Sequence, residues 1–241
     1  MPAKNLLPSL FFRSFFIQVG FSYERIQALG WSWLVQPLGK LLDQPARQNF
    51  LKENLAWFNA NPYICTYAAG AVAKFLEQKK DLGQISRLKQ AIRGPLGSLG
   101  DNLIWQNARP AFLCLGLIVS LGLDCWGPAV FFLTFNSLHL YLRTRGIIRG
   151  YQLGEEVFRD FSGRFWRKGI PYFGLLGAFL AGFLLVLAAS RQLQLKLDAT
   201  LIFLIIFAAA LAGFKRRVSV PVLFSGCLGL GIILKLALGL L

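Results

Sequence analysis

Residues 170–190 read IPYFGLLGAFLAGFLLVLAAS, an uncharged run of 21 residues that as a helix covers about 31 Å, enough for a bilayer's hydrocarbon core. A run of this kind predicts a membrane crossing. Gly174, Ala178 and Gly182 recur every four residues within it, which makes either a smooth stripe for a second helix or an incidental row of small residues. Two further apolar stretches follow, Ala199–Phe214 and Val218–Leu241, parted by Lys215, Arg216 and Arg217. Arg164, Arg167 and Lys168 precede the first crossing, while only Arg191, Lys196 and Asp198 lie in the next connection. Basic residues stay on the cytoplasmic side, so the chain passes in, out and in, and its carboxyl terminus ends outside. Lys235, inside the last run, either snorkels to the interface or faces a partner protein.

The whole composition agrees with this reading. Of 241 residues, 55% are hydrophobic and 15% charged, 22 are Phe, and the mean hydropathy is +0.52. These values exclude intrinsic disorder, collagen and a disulfide-rich secreted scaffold. The 26 Lys and Arg against 11 Asp and Glu leave +15, an excess that nucleic-acid binders share. Here, however, the basic residues punctuate apolar runs as topology determinants do, so no nucleic-acid partner is expected. Cys65, Cys114, Cys125 and Cys227 lack close metal-ligand spacing and read as small hydrophobes, so no metal site and no cofactor are expected. His139, the single histidine, lies inside the apolar stretch 129–142, which argues against a His pair, a His–Cys dyad or a phosphohistidine relay. Glu155 and Glu156 are adjacent and point to different helix faces, so a carboxylate pair for hydrolysis is missing and no catalytic residue is assigned. The start, MPAKNLLPSLFFRSFF, does not read as a signal peptide, which leaves the amino terminus cytoplasmic.

The middle of the chain is interrupted. Ala111–Leu123 and Ala129–Leu142 are too short to span singly and are divided by Asp124, Cys125, Trp126, Gly127 and Pro128. They read as a re-entrant helical hairpin with Arg87, Lys89 and Arg93 before it and Arg143, Arg145 and Arg149 after it, both ends cytoplasmic. A pair of tilted helices in a larger complex is the other reading. Toward the amino terminus, Phe11, Phe12, Phe15 and Phe16 share one side of a helix suited to lying in the interface. A second amphipathic helix is expected over about Ala46 to Phe58, with Phe50, Leu51, Leu55 and Phe58 on one face, ending at Asn59-Ala60-Asn61-Pro62. Tyr63 to Leu76 is again short for a crossing, and Glu77 to Lys89 reads as a polar link. The fold expected is an all-α membrane protein: interfacial amphipathic helices, a re-entrant helical hairpin and about three C-terminal transmembrane helices. It forms one domain over 1–241, with an interfacial region at 1–62, interrupted helices and hairpin at 63–150, and the C-terminal transmembrane region at 151–241.

Chemistry concentrates in Arg93–Pro110, RGPLGSLGDNLIWQNARP. Gly94, Gly97 and Gly100 do not make a phosphate loop, because Asp101 follows where Lys and Ser or Thr would be needed. They supply instead a backbone that bends or comes close to another chain. A helix opening near Asp101 would align Asp101, Trp105 and Arg109 at i, i+4 and i+8, with Asn102 and Gln106 alongside. Carboxylate, amide and guanidinium groups bind sugar hydroxyls and Trp stacks on a pyranose face, so the set suits a neutral polyol. Alternatively Asp101 caps the helix, Arg109 pairs with a neighbour and Trp105 sits at the interface. A second polar set is Glu24, Gln27 and Trp31 on one helical face, which also fits a solvated charge cluster.

Four strings carry a resemblance: FSYERIQALGW (21–31), LAWFNANP (55–62), GPLGSLGDNLIWQNARP (94–110) and GYQLG (150–154). In this order they resemble the IID component of mannose/fructose/sorbose-type sugar phosphotransferase systems, over about residue 12 to the end. The resemblance implies an inner-membrane subunit that pairs with a homologous IIC subunit to move a hexose-type sugar, assembled as a trimer of IIC–IID pairs. Cytoplasmic IIA and IIB proteins or domains would carry the phosphoryl group on their histidines, so this chain would not itself be phosphorylated. On that reading Asp101, Asn102, Trp105 and Arg109, with Glu24, Gln27 and Asn59, line or support the sugar path, and Gly94, Gly97 and Gly100 form a backbone hinge. The chain departs from the family's pattern at Asn102 and Ala60 and in a short connection between the last crossings. A regulatory or interaction subunit without transport is the alternative, and a membrane enzyme acting on lipid-linked substrates lacks the acid-base or metal set it would need.

Overall fold

The computed structural model describes residues 2–193, 198–216 and 218–237. Among them the ordered elements are helices, with no strand beyond isolated bridges at Ser22, Ile26 and Phe58. In chain order they are α1 (Leu7–Arg13), α2 (Ala28–Val35), α3 (Gln44–Asn54), α4 (Thr66–Glu77), α5 (Leu82–Gly100), a π-helical stretch Asp101–Ala108, α6 (Arg109–Leu123), α7 (Trp126–Leu153), α8 (Val157–Phe161), α9 (Arg164–Leu193), α10 (Asp198–Lys215) and α11 (Val220–Ala237). Contacts gather them into two compact units, one of Met1–Trp105 with Asn136–Gly169 and one of Gln106–Phe135 with Ile170–Leu241.

In the first unit, α4 is the core. Its Ala- and Gly-rich sequence buries every residue from Thr66 to Ala73, because small side chains let neighbouring backbones come close. Gly70 lies against the Ile147 carbonyl and the Tyr151 amide of α7, Gly146 against Thr66 and Tyr67, and Gly150 against the Tyr67 carbonyl. A side chain at Gly70 or Gly150 would run into backbone, and one at Gly146 would meet first the Thr66 hydroxyl and the Tyr67 ring. An ion cluster closes the same region: Asp160 of α8 accepts hydrogen bonds from the Tyr67 hydroxyl (2.8 Å), Arg145 Nη2 (3.0 Å) and Arg149 Nη2 (3.0 Å). Burial by itself would raise the Asp160 carboxyl, but the bonds from Tyr67 and Arg149 and the charges of Arg145 and Arg149 outweigh it and hold it below the usual carboxylate range.

The amino-terminal segment seats Leu6, Leu10, Ser14 and Ile17 inward and leaves Phe12, Phe15, Phe16 and Val19 exposed. Three of the four phenylalanines expected on one helical side face outward, but Phe11 is half-buried and the α-helix ends at Arg13. Two boundaries differ from expectation. α3 stops at Asn54, and Phe50 and Phe58 are buried while Leu55 is exposed, so the stretch to Phe58 is not one helical face. The polar link 77–89 contains the start of α5, where Asp81 accepts from the Gln84 amide and the Gln84 side chain accepts from the Asp81 amide, a reciprocal cap that sets a helix start.

In the second unit, α6 and the first half of α7 form an antiparallel pair turning at Asp124 and Cys125, with Asp124 at φ 41°. Gly116 faces Phe131, and Gly127 faces Ser120. The helical hairpin is present, but its arms are longer than the apolar runs suggested. The helix continues from Leu82 through Leu123 over 42 residues, and α7 holds 28. The arms outrun the apolar segments because helical hydrogen bonding continues through the polar ones. Gly174 and Gly177 of α9 approach Asn107 and Ala111, and Phe112 meets Phe173 edge-on at 5.5 Å. Gly182 has open space beside it, so the close approach uses Gly174 and Gly177 rather than the expected four-residue stripe. Little of α9's apolar surface is covered by the rest of the chain, as for a helix solvated by lipid. α10 and α11 coincide with the two later runs and pack together, Gly213 beside Leu223 and Gly231 beside Ile206. The expectations placed on Lys196 and Arg217, and on the side chains of Arg191, Asp198 and Lys235, lie outside the described residues.

Candidate functional site

Two of the sequence strings fold against each other. The Gln27 amide donates to the Phe58 carbonyl (3.0 Å), the Ala60 amide donates to Gln27 Oε1 (3.0 Å), and Trp31 stacks on Phe58 at 4.1 Å between centroids. Trp31 Nε1 also donates to Asn54 Oδ1 (2.7 Å). The preceding loop is pinned by paired backbone bonds between Ser22 and Ile26, which place Ile26 at φ 55°. A β-branched residue there is strained, and the bonds around it hold the conformation.

This scaffold delivers the polypeptide to Asn61. Asn61 Nδ2 donates to Asp101 Oδ1 (2.9 Å), and Asn61 Oδ1 accepts from the Tyr63 amide (3.1 Å). Gly100 lies directly against the Asn61 side chain, leaving no space for a Cβ. Beyond it the backbone widens into the π-helical stretch Asp101–Ala108. Pro110 lies just beyond this stretch, in the first turn of α6, and has no N–H for the Gln106 carbonyl, so one regular helical bond is missing there. The Trp105 ring then meets the Tyr63 ring at 5.4 Å, and Tyr63 meets His139 at 5.2 Å. His139 Nε2 is bonded to Asn136, whose Oδ1 accepts (2.8 Å). Arg143, one turn on, donates from Nη1 to both the carbonyl and the hydroxyl of Ser14 (2.7 Å each) and lies over the rings of Phe15 and Tyr63. The result is a polar and aromatic cluster built from four distant stretches of one unit.

The expected site residues separate on this geometry. Asp101 and Trp105 belong to the cluster, Asp101 exposed and Trp105 half-buried, and Asn102 stands beside Asp101 on the same π-helical stretch. No helix begins at Asp101, because α5 runs straight into the π-helical stretch, and the helix is unbroken at Gly94, Gly97 and Gly100. Arg109 is exposed and belongs to the second unit. Gln27 is buried with its side-chain oxygen engaged by the Ala60 amide, while Glu24 and Asn59 are exposed. Asn61, Tyr63, His139 and Arg143 join the cluster without being among the site residues expected from the sequence. For Asn61 the signal was its place two residues after Asn59 in the same string; for His139 and Arg143 it was a histidine and an arginine four apart at the end of an apolar run. The basic residues after the hairpin are partly engaged internally, Arg143 by Ser14 and Arg145 and Arg149 by Asp160.

Residues 3–238 match the family described as the mannose/fructose/sorbose family IID component of the phosphotransferase system. The fructose permease IID component of Bacillus subtilis (strain 168) is 32% identical over 186 residues, 74% of this chain and 68% of that protein. The mannose-specific EIID component of Escherichia coli (strain K12) is 31% identical over 181 residues, 72% of this chain and 64% of its own length. The matched stretch therefore spans about two thirds of these relatives. Among solved structures, a chain of the mannose transporter ManYZ in complex with microcin E492 superposes with a TM-score of 0.60 at 26% identity, covering 99% of this chain and 97% of the other.

Proposed function

This chain belongs to the mannose/fructose/sorbose family of phosphotransferase-system IID components and is a membrane protein of sugar transport, and we propose that it forms the sugar translocation unit together with a IIC subunit. Phosphoryl transfer would be carried by IIA and IIB partners, the imported substrate would be a hexose-type sugar, and the assembly would be a trimer of IIC–IID pairs. The observation that carries the reading is the Asn61–Asp101 bond at the mouth of a π-helical turn, with Trp105 and Tyr63 beside it. An exposed carboxylate next to a half-buried indole suits a sugar, whose hydroxyls need acceptors and whose ring has an apolar face. π-helical turns recur at functional positions because they re-aim side chains out of the regular helical period.

Asn102 extends this polar row beside Asp101. Gly94 and Gly97, with nothing packed beside them, give the same helix freedom to bend during alternating access. Glu24 and Asn59 would meet sugar or partner from the neighbouring loops, and Gln27 supports them from below. The amino terminus lies in the cytoplasm, the hairpin of α6 and α7 returns the chain to the side it entered from, and the carboxyl terminus lies outside. Residues 1–241 act as one IID membrane domain.

The test is uptake and phosphorylation of sugar by a reconstituted complex with the IIC partner. Asp101→Ala and Trp105→Ala are each expected to lower both by about tenfold or more, the loss of one charged hydrogen bond or one stacking contact. Unchanged transport in both variants would remove the site assignment.

A further inference from the structure

We infer that Arg143 is a positioning residue for the sugar-facing pair Asp101 and Trp105, acting through Tyr63; this rests on the reading of that pair as sugar contacts. Arg143 is 4% exposed, and no carboxylate of a described residue pairs with its guanidinium. Its charge is met instead by the Ser14 carbonyl and hydroxyl and by the faces of Phe15 and Tyr63, 4.6 and 5.4 Å away. Nε has no acceptor among the described residues. A buried guanidinium without a counter-ion is costly, and an apolar side chain would fill the space without that cost. What an apolar residue could not do is hold an aromatic ring electrostatically while being fixed itself by two short hydrogen bonds.

The ring so held is the one that matters to the site. Tyr63 lies between Arg143 and Trp105, and its own amide is tied to Asn61, whose side chain is tied to Asp101. Arg143 therefore bears on the indole through Tyr63 alone, by ring contact, and on the carboxylate through Tyr63 and Asn61, by hydrogen bonds. Ser14 extends the line to the amino-terminal segment, whose outer side carries the exposed Phe12 and Phe16. The seating of that segment sets the geometry of the sugar contacts. Such a role acts on sugar affinity and leaves the phosphoryl-transfer step at saturating sugar unaffected.

The experiment uses the complete complex with the IIC subunit and mannose as the probe, with binding read by calorimetry and transfer by phosphorylation rate. Arg143→Met is expected to weaken mannose binding about tenfold, and Arg143→Lys, which keeps a cation beside Tyr63, by distinctly less. The rate at saturating mannose stays within about twofold in both. Equal losses in the Lys and Met variants would assign the effect to packing and overturn the inference. Normal binding by Arg143→Met, with binding lost in Asp101→Ala and Trp105→Ala, would overturn it while leaving the sugar site standing; normal binding in all of them would remove the sugar site itself. If Arg143→Met does not assemble, Ser14→Ala decides, since it keeps the guanidinium and the Ser14 carbonyl: a loss of about threefold supports positioning, and unchanged binding overturns it.

Discussion

Asn61 and Asp101, forty positions apart, are joined by a 2.9 Å hydrogen bond from Nδ2 to Oδ1, and Gly100 leaves the room that makes the bond possible. A methyl group at Gly100 would enter the Asn61 side chain. Gly100→Ala should therefore break the bond and strain the packing, lowering stability by about 1–3 kcal/mol, as a fall in the unfolding temperature of the detergent-solubilised protein. Gly97→Ala, where open space receives the methyl, should leave stability unchanged or raise it slightly.

Gln27 separates a supporting role from a sugar-contacting one. Its side-chain oxygen takes the Ala60 amide inside the protein, so Gln27→Ala leaves a buried N–H without an acceptor at a cost of about 1–3 kcal/mol. Thermal unfolding should shift accordingly, while sugar affinity of the folded complex, measured below the transition, should stay near that of the parent. A large affinity loss with unchanged stability would place Gln27 among the proposed sugar contacts.

Asp160 gives the fold an acid limit. Its carboxyl titrates below its ordinary value of about 3.9 in the folded protein, so its contribution to stability is fully present above that value. The contribution is lost as pH falls through the lower folded value. The unfolding temperature should lose this contribution only below about pH 4. Asp160→Asn should lower stability at neutral pH by about 3 kcal/mol or more, because Arg145 and Arg149 lose their carboxylate, and should remove this part of the acid-induced decline.

The close approach of α4 and α7 predicts a sharper failure. Gly150→Leu would drive a side chain into the Tyr67 carbonyl, and the backbone there has no freedom to yield. The variant should fail to accumulate in membranes, whereas Gly226→Leu, facing open space on α11, should accumulate normally. Immunoblotting of membrane fractions distinguishes the two.

The sequence by itself determined the all-helical membrane class, because the 21-residue run at 170–190 and the two apolar runs after it announce long apolar helices through composition alone. It also determined the family, because strings such as GPLGSLGDNLIWQNARP are specific without reference to shape. Asp101 and Trp105, proposed as sugar contacts, stand out in the sequence for a local reason, a carboxylate and an indole amid glycines and apolar residues. The partners that complete the cluster do not. Asn61 meets Asp101, and Ser14 meets Arg143 across 129 positions, only after α1, α4 and α7 have packed, and local periodicity holds no information about such long-range pairs. The π-helical widening at 101–108 and the unbroken helix through Gly94 and Gly97 belong to the same class. A glycine or a proline marks where a backbone can deviate, but it does not say which deviation occurs, and packing such as that of Gly100 against Asn61 is set only in the folded chain. Only the tertiary structure decided that Arg145 and Arg149 are held by Asp160, because a buried carboxylate, once enclosed, requires cations from whichever helices surround it.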